Sequence, residues 1–410
     1  MSVVFINSTG ETFTPTRSGA IATWIWEMCQ AAQKQGIEPW VITRTRADTE
    51  PYPWPRTIFL NYPWIPSFRG TGLGRLLEIQ RKVSGWGHVR QGAYAVKIVS
   101  AIRQHGLESL PFVLHNDPEL AVHLRRCFPK ATIIHHSHNA NPCSERIRRQ
   151  FACAVTVATG VSDFISAWVK AYFDFGGRRV QTIYNGVDNV RFSPALAPPE
   201  GPPVINFVGR TDSSKAPDLV LRAAKKLAAK TRNFRLQILG ARFYWGTEPD
   251  EYQGMIEKLS NDLEREGIPV RRPGLICRSA LPDELRKAHI HVVPSRWDEP
   301  CALTIFEGMA CGLATVGSQT GGTPEVIGDA GLLFQRDSVD ELAGHLSNLI
   351  TNGAMRTEYA RKARVRAEAL TWQHTWSQFL PLLSSLCPST SLLYGRRSPR
   401  QFLARRAETT

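Results

Sequence analysis

The sequence predicts an α/β protein built as two similar lobes that face each other across a cleft. Three observations carry this. Short β-branched runs alternate with longer amphipathic stretches, the pattern of parallel strands joined by crossover helices. A proline-dense break at 189–204 interrupts the alternation, which then restarts. The chain of 410 residues has room for two ordinary domains with full cores.

The first lobe opens with the strand "SVVFIN" (2–7). The stretch "GAIATWIWEMCQAAQKQG" (19–36) follows as a helix ended by Gly36. "PWVIT" (39–43) is the next strand, and "PFVLHN" (111–116), "ATIIHHS" (131–137) and "CAVTVATG" (153–160) are further buried strands with basic helices between them. The break "NVRFSPALAPPEGPPV" carries Pro194, Pro198, Pro199, Pro202 and Pro203, a density that forbids helix and reads as an extended linker.

Beyond it, "VINFVG" (204–209), "FRLQILG" (234–240), "HIHVVPS" (289–295) and "LATVGS" (313–318) are strands. "PDLVLRAAKKLAAK" (217–230) is a helix with Pro217 in its first turn, and "LTIFEGMACG" (303–312) is a helix stopped by Gly312. The expected divisions are a first lobe over 1–188, a linker over 189–203 and a second lobe over 204–370. A C-terminal helix over 371–387 should return to the first lobe, and a basic tail over 388–410 should be disordered.

Composition narrows the function classes. Hydrophobic content of 42% and charged content of 21% are globular values. No apolar run reaches the length of a membrane span. The opening "MSVVFINSTGE" has no basic n-region and no cleavage site, which sets the expectation of a cytoplasmic protein. The eight cysteines include no Cys-x-x-Cys pair, which argues against zinc ribbons and redox motifs and fits small buried hydrophobes in a reducing compartment. The net charge of +14 favours an anionic partner without choosing one. No G-x-G-x-x-G follows a strand, against a nicotinamide enzyme. Without an aromatic platform or a basic groove motif, nucleic acid is not an expected partner.

Two glutamates pose the functional question. Glu299 lies in the loop after a strand, and Glu307 lies in the otherwise apolar helix that follows. Loop amides and a helix N-terminus point unpaired N–H groups into that space, a natural phosphate site. Arg210 ends the first strand of the second lobe, and Lys215 precedes its helix, so both project toward the cleft from the same edge as Glu299. Two fixed cations are what a departing diphosphate needs in place of a metal. Gly321 and Gly322 after a strand permit close backbone approach to a ligand.

Together, "VGRTDSSKAPDLVLRA" (208–223), the stretch from "LPDELRKAHIHVVPSRWDEPCALTIFEGMACG" to "GGTPEVIGDAGLLF" and the junction "IYNGVDNVRFSP" (183–194) resemble glycosyltransferases of family 4, with the GT-B fold of two Rossmann-like lobes. Glu299 and Glu307 match that family's E-x7-E motif. The resemblance implies a retaining, metal-independent transfer of a sugar from a nucleotide-diphosphate sugar to a hydroxyl of a saccharide or lipid-linked acceptor, in cell-envelope polysaccharide or glycoconjugate synthesis. No Asp-x-Asp, the metal-holding pair of the GT-A enzymes, occurs in the chain, and no cofactor is implied.

Residue by residue, the resemblance gives Arg210 and Lys215 the donor diphosphate, Glu307 the ribose hydroxyls and Glu299 the transferred sugar. Backbone amides around Ala302, Leu303 and Thr304 would touch sugar and phosphate. The family pattern has Phe-Gly where this chain has Cys301-Ala302. In the first lobe, on the acceptor side, Gly19 would lie near the diphosphate. The segment "IIHHSHNANP" (133–142) matches the one with an active-site histidine. His135, His136 and His138 compete for that role, and His138, at the strand end, is preferred. Ser162 resembles the family's serine before the interlobe helix and reads equally as an N-cap.

Two basic stretches are left over. Residues 69–92 interleave cations with apolar residues and could face an anionic membrane or an acceptor, giving peripheral contact with the inner membrane face. The tail 394–410 has five arginines and one glutamate, suited to anionic lipid or polymer. A nucleotide-sugar epimerase or a phosphorylase on the same fold is an alternative function, and a non-catalytic scaffold of a polysaccharide or coat assembly is another.

Overall fold

The computed structural model describes residues 2–16, 19–45, 49–61, 89–175, 178, 180–242 and 251–383, with the backbone alone at 89–91. Residues 69–88 of the first basic stretch and the tail 394–410 lie outside the described residues.

Among the described residues the first lobe is a seven-stranded parallel sheet. Its strands are β1 (Val4–Ile6), β2 (Trp40–Arg44), β3 (Thr57–Leu60), β4 (Phe112–His115), β5 (Ile133–Ser137), β6 (Val157–Gly160) and β7 (Val180–Thr182), in the order β3-β2-β1-β4-β5-β6-β7. The second lobe is a six-stranded parallel sheet of β8 (Val204–Val208), β9 (Arg235–Leu239), β10 (Val270–Gly274), β11 (Ile290–Val293), β12 (Ala314–Ser318) and β13 (Leu332–Phe334), in the order β10-β9-β8-β11-β12-β13.

Each order reverses once, at β1/β4 and at β8/β11. Helices leave the carboxyl ends of these neighbouring strands in opposite directions, which opens a crevice there. Register places Val4 beside both Trp40 and Phe112, and Ile205 beside Ile290. The interior strands are buried along most of their length, and most of them read as largely apolar runs.

The strands that sequence reading passes over are β3, β7, β10 and β13, the edges of the two sheets. The edge β10 is "VRRPG", largely exposed, and it tolerates Pro273 because one side has no ladder to satisfy.

The lobes are tied in several places. After the helix Gly353–Ala369 the chain crosses back through a bridge between Val187 and Thr371. The helix Trp372–Leu383 then buries Trp376 and Phe379 against Trp24 and Met28 of the first lobe. Trp376 Nε1 donates to Gln35 Oε1 at 3.2 Å. The linker is strapped at its start: Arg364 donates to the carbonyls of Asn189 and Phe192, and Arg286 to those of Arg191 and Ser193. Glu325 of the second lobe accepts from the N–H groups of Asp163 and Phe164 at 2.6 and 2.9 Å, so it caps a first-lobe helix, Asp163–Tyr172.

Candidate functional site

A cavity of about 720 Å³ lies between the lobes, at the carboxyl ends of both sheets. Its walls include Gly19, His138, Arg210, Lys215, Glu299, Ala302, Leu303, Thr304 and Glu307. The tertiary structure therefore gathers these nine of the residues singled out from sequence around one space.

On the second-lobe side, Asp212 organises the loop after β8. Its Oδ2 lies 2.9 Å from Arg210 Nε, and its Oδ1 accepts from the backbone of Ser214 and Lys215, each at 3.1 Å. Ala216 takes a left-handed backbone, φ 54°, immediately before Pro217, which disfavours the helical region for the residue preceding it. This turn directs Lys215 Nζ onto Glu299 Oε2. The same oxygen accepts from Ser295 Oγ and Trp297 Nε1, each at 2.9 Å. Lys215 Nζ also stands 5.1 Å from the centre of the Trp297 ring. Glu299 is buried, and its charge is held by three donors.

Glu307 is matched differently. It projects from the helix Leu303–Ala310, and its Oε1 lies 2.7 Å from a guanidinium nitrogen of Arg278. Glu307 is buried and Arg278 half-buried, and Arg278 also sits over the Phe192 ring at 5.8 Å. Burial opposes the Arg278 charge, and Glu307, Tyr52 and Glu27 more than restore it, holding its pKa above the ordinary value. Glu27 belongs to the first lobe and lies 3.7 Å from Arg191 of the linker. Burial pushes its carboxyl up, against the pull of Arg278 and Arg191.

Ala302 is the N-cap of the glutamate helix and supplies no side-chain cap. The N-terminal turn at Leu303 and Thr304 accordingly lies along the cavity wall. The preceding loop is anchored by Asn185 Nδ2, which donates to the Cys301 carbonyl at 3.1 Å.

Gly321 and Gly322 lie against the glutamate loop and the first lobe. A Cβ on Gly321, where φ is 51°, would stand 2.3 Å from the Glu299 carbonyl. One on Gly322 would stand 2.2 Å from the Pro300 carbonyl and 2.9 Å from Ser162 Cβ. The glycine pair lets the glutamate loop and the first lobe pack together. Ser162 is the N-cap of the helix Asp163–Tyr172, accepting from Ile165 N–H at 3.2 Å.

On the first-lobe side, Gly19 is the N-cap of the helix Ala20–Gln33. The group against it is Glu11, whose carboxylate accepts from Ala22 N–H at 3.0 Å. A Cβ on Gly19 would lie 2.2 Å from Glu11 Oε1. Burial raises the Glu11 pKa while backbone donors and Arg44 lower it.

Of the three competing histidines, His138 alone lines the cavity. His135 faces the other way, 4.8 Å from the Phe151 ring, and His136 Nδ1 lies 2.7 Å from Thr159 Oγ1. His138 Nε2 lies 3.0 Å from His115 Nδ1, and burial holds His138 down at about 3.

Sequence reading missed Glu11, His115, Asp117, Arg278 and the pair Gly209 and Gly240. His115 and Asp117 carried a usable signal, as polar residues at or just past the carboxyl end of a buried strand. Gly240, with φ 136°, would place a Cβ 1.8 Å from the Gly209 carbonyl, and both glycines line the cavity. Arg278 sits in "LICRSALPDEL", where no local pattern marks it. Among the described residues, no group of three or more His, Cys, Asp or Glu is placed to hold a metal ion. No helix among them is long and apolar enough to cross a membrane.

Two parallel-sheet lobes meeting at their carboxyl edges define the GT-B class. Comparison with known proteins agrees with this architecture. Residues 189–366 match the family model "Glycosyl transferases group 1", and residues 21–191 match "Glycosyltransferase Family 4". The chain belongs to these glycosyltransferases, the assignment that its E-x7-E stretch had suggested.

Among relatives, a D-inositol 3-phosphate glycosyltransferase of Rhodococcus erythropolis is 30% identical over 210 residues, 48% of this chain and 46% of its own length. The chain thus spans about half the length of such curated relatives. The spore coat protein SA of Bacillus subtilis is 23% identical over 287 residues, 65% of this chain and 75% of its own. Among solved structures, the sucrose-phosphate synthase of Thermosynechococcus elongatus superposes with a TM-score of 0.73 at 18% identity, covering 93% of this chain and 98% of its own. Anabaena HepE in complex with UDP and glucose superposes with a TM-score of 0.66 at 17% identity, covering 94% and 100%. At such identities these structures bear on the fold alone.

Proposed function

We propose that the chain transfers a sugar from a nucleoside-diphosphate sugar to an acceptor hydroxyl, with retention at the anomeric carbon and without a metal ion, in cell-envelope polysaccharide or glycoconjugate synthesis. The observation that carries this reading is the shared cavity. Arg210, Lys215 and the open N-terminus at Leu303 and Thr304 converge on one side, with Glu299 and Glu307 beside them and His138 opposite. The fold neighbour HepE was crystallised with UDP and glucose, which supports a uridine donor as the first to test.

In this reading the bond from the anomeric carbon to the β-phosphate oxygen breaks as the acceptor oxygen bonds to the same face. The carbon passes through oxocarbenium character. Arg210 and Lys215 stabilise the charge that develops on the departing diphosphate. The acceptor proton passes to that diphosphate. Glu307 holds the ribose hydroxyls, and Glu299 lies against the sugar. The basic stretch around Arg75, Arg81 and Lys82 would bring an anionic membrane or a lipid-linked acceptor to the first lobe.

The test is release of free nucleoside diphosphate from UDP-, GDP- and ADP-sugars, with and without saccharide acceptors, in EDTA, and with the anomeric configuration of the product read by NMR. Release only on adding acceptor, with retention, supports the reading. An inverted product overturns the stereochemistry, and loss of turnover in EDTA overturns metal independence. Conversion of donor without any acceptor favours the epimerase.

A further inference from the structure

The first-lobe wall of the cavity rests on four aromatic rings. Trp24 lies 4.9 Å from His115 and 4.9 Å from His136, while His138 lies 5.1 Å from His115 and 4.7 Å from His136. His115 Nδ1 and His138 Nε2, 3.0 Å apart, share one hydrogen bond, so one of the two nitrogens carries its proton. The surroundings of the pair choose the tautomer.

The far nitrogen of His115, Nε2, is buried and has no hydrogen-bond partner among the described residues. So is Nε2 of His136, and so is Nε1 of Trp24, which always carries a hydrogen. A proton on His115 Nε2 would add a second unsatisfied buried N–H to a cluster that already holds one. A bare nitrogen there leaves only a lone pair without a partner, and orphaned buried N–H groups are the rarer of the two. The proton of His115 therefore belongs on Nδ1, where it has an acceptor.

It follows that His115 donates to His138 Nε2 and that His138 keeps its own proton on Nδ1, the ring nitrogen left for the cavity. We propose that His115 is a positioning residue that fixes His138 as the Nδ1–H tautomer, so that the first lobe meets its ligand with a neutral hydrogen-bond donor rather than a base. The ligand atom this suits is an acceptor oxygen, such as a hydroxyl oxygen of the transferred sugar. Burial keeps His138 uncharged at neutral pH, which preserves the arrangement. A donor at this position cannot take the acceptor's proton, which leaves the departing diphosphate to do so.

The ligand assignment rests on the reading given under Proposed function; the tautomer does not. The experiment is long-range proton–nitrogen correlation NMR on the full chain with nitrogen-15 histidine at pH 7, with His138 assigned by its loss in His138→Gln. Protonated Nδ1 and bare Nε2 are expected at His138, and protonated Nε2 would overturn the proposal. His115→Phe removes the donor and should leave His138 in mixed tautomers, with kcat/KM lowered about tenfold and diphosphate Kd unchanged. His115→Asn, whose amide nitrogen takes the place of Nδ1, should restore both. If Asn fails to restore the tautomer, or Phe leaves it unaltered, His115 is packing alone. Should the chain transfer no sugar at all, the NMR result still decides the tautomer.

Discussion

Lys215 Nζ and Glu299 Oε2 meet across 84 residues of sequence, on the oxygen that Ser295 and Trp297 also hold. Glu299 is thus neutralised by the cation proposed to face the donor diphosphate. Removing Lys215 takes one of three donors from Glu299, while Ser295 and Trp297 stay in place.

Lys215→Ala should lower turnover by about a hundredfold, equivalent to about 3 kcal/mol of leaving-group stabilisation. Arg210→Ala should do the same. Steady-state rates in EDTA, with circular dichroism as a check on folding, test both. Near-normal rates in both variants would remove these cations from the chemistry.

Glu299 and Glu307 should fail differently. Glu307→Gln weakens a charge-assisted hydrogen bond to ribose, worth roughly 1.5 to 3 kcal/mol, and should weaken nucleoside diphosphate and nucleotide sugar alike. Glu299→Gln should leave diphosphate affinity nearly unchanged and reduce turnover. Calorimetric titration with the diphosphate alone separates the two, and equal weakening by both variants counts against the division.

Asp117 gives a pH dependence of stability. It caps the helix Pro118–Cys127 through Leu120 N–H at 2.9 Å, and burial, with Glu119 adding to it, raises its pKa to about 7 from 3.8. Between those values the folded state holds a proton that the unfolded state has released, so stability falls as pH rises from about 4 to about 7. Asp117→Asn keeps the cap and removes the titration. Its melting temperature should exceed that of the unaltered chain at pH 8, with the difference shrinking toward pH 4. A constant difference across that range would show that Asp117 does not titrate there.

Glu325 joins the lobes by capping the helix Asp163–Tyr172 and accepting from Tyr184 at 2.6 Å. Glu325→Ala should cost about 1 to 2 kcal/mol, the usual loss of a helix cap. Thermal unfolding measures it, and an unchanged melting temperature would make this contact incidental.

The sequence by itself determined the two lobes, their interior strands and nine of the residues that line the cavity. A parallel strand flanked on both sides is buried on both faces, so β4, β11 and β12 wrote themselves as largely apolar runs, while β5, "IIHHS", buries two histidines as well. The edges β3, β7, β10 and β13 have one neighbour and water beyond, so "VRRPG" carries no such signal. Residues at strand ends, such as Arg210 and His138, were legible because the fold puts every strand's carboxyl end on one rim. Their partners were not. Arg278 on Glu307, His115 on His138, Glu11 against Gly19 and Lys215 on Glu299 are joined by the order of the strands and the meeting of loops. Local periodicity holds no record of that. Only the tertiary structure decides which buried charge finds which partner, because burial makes an unpaired charge costly, while the sequence separation between partners is left free.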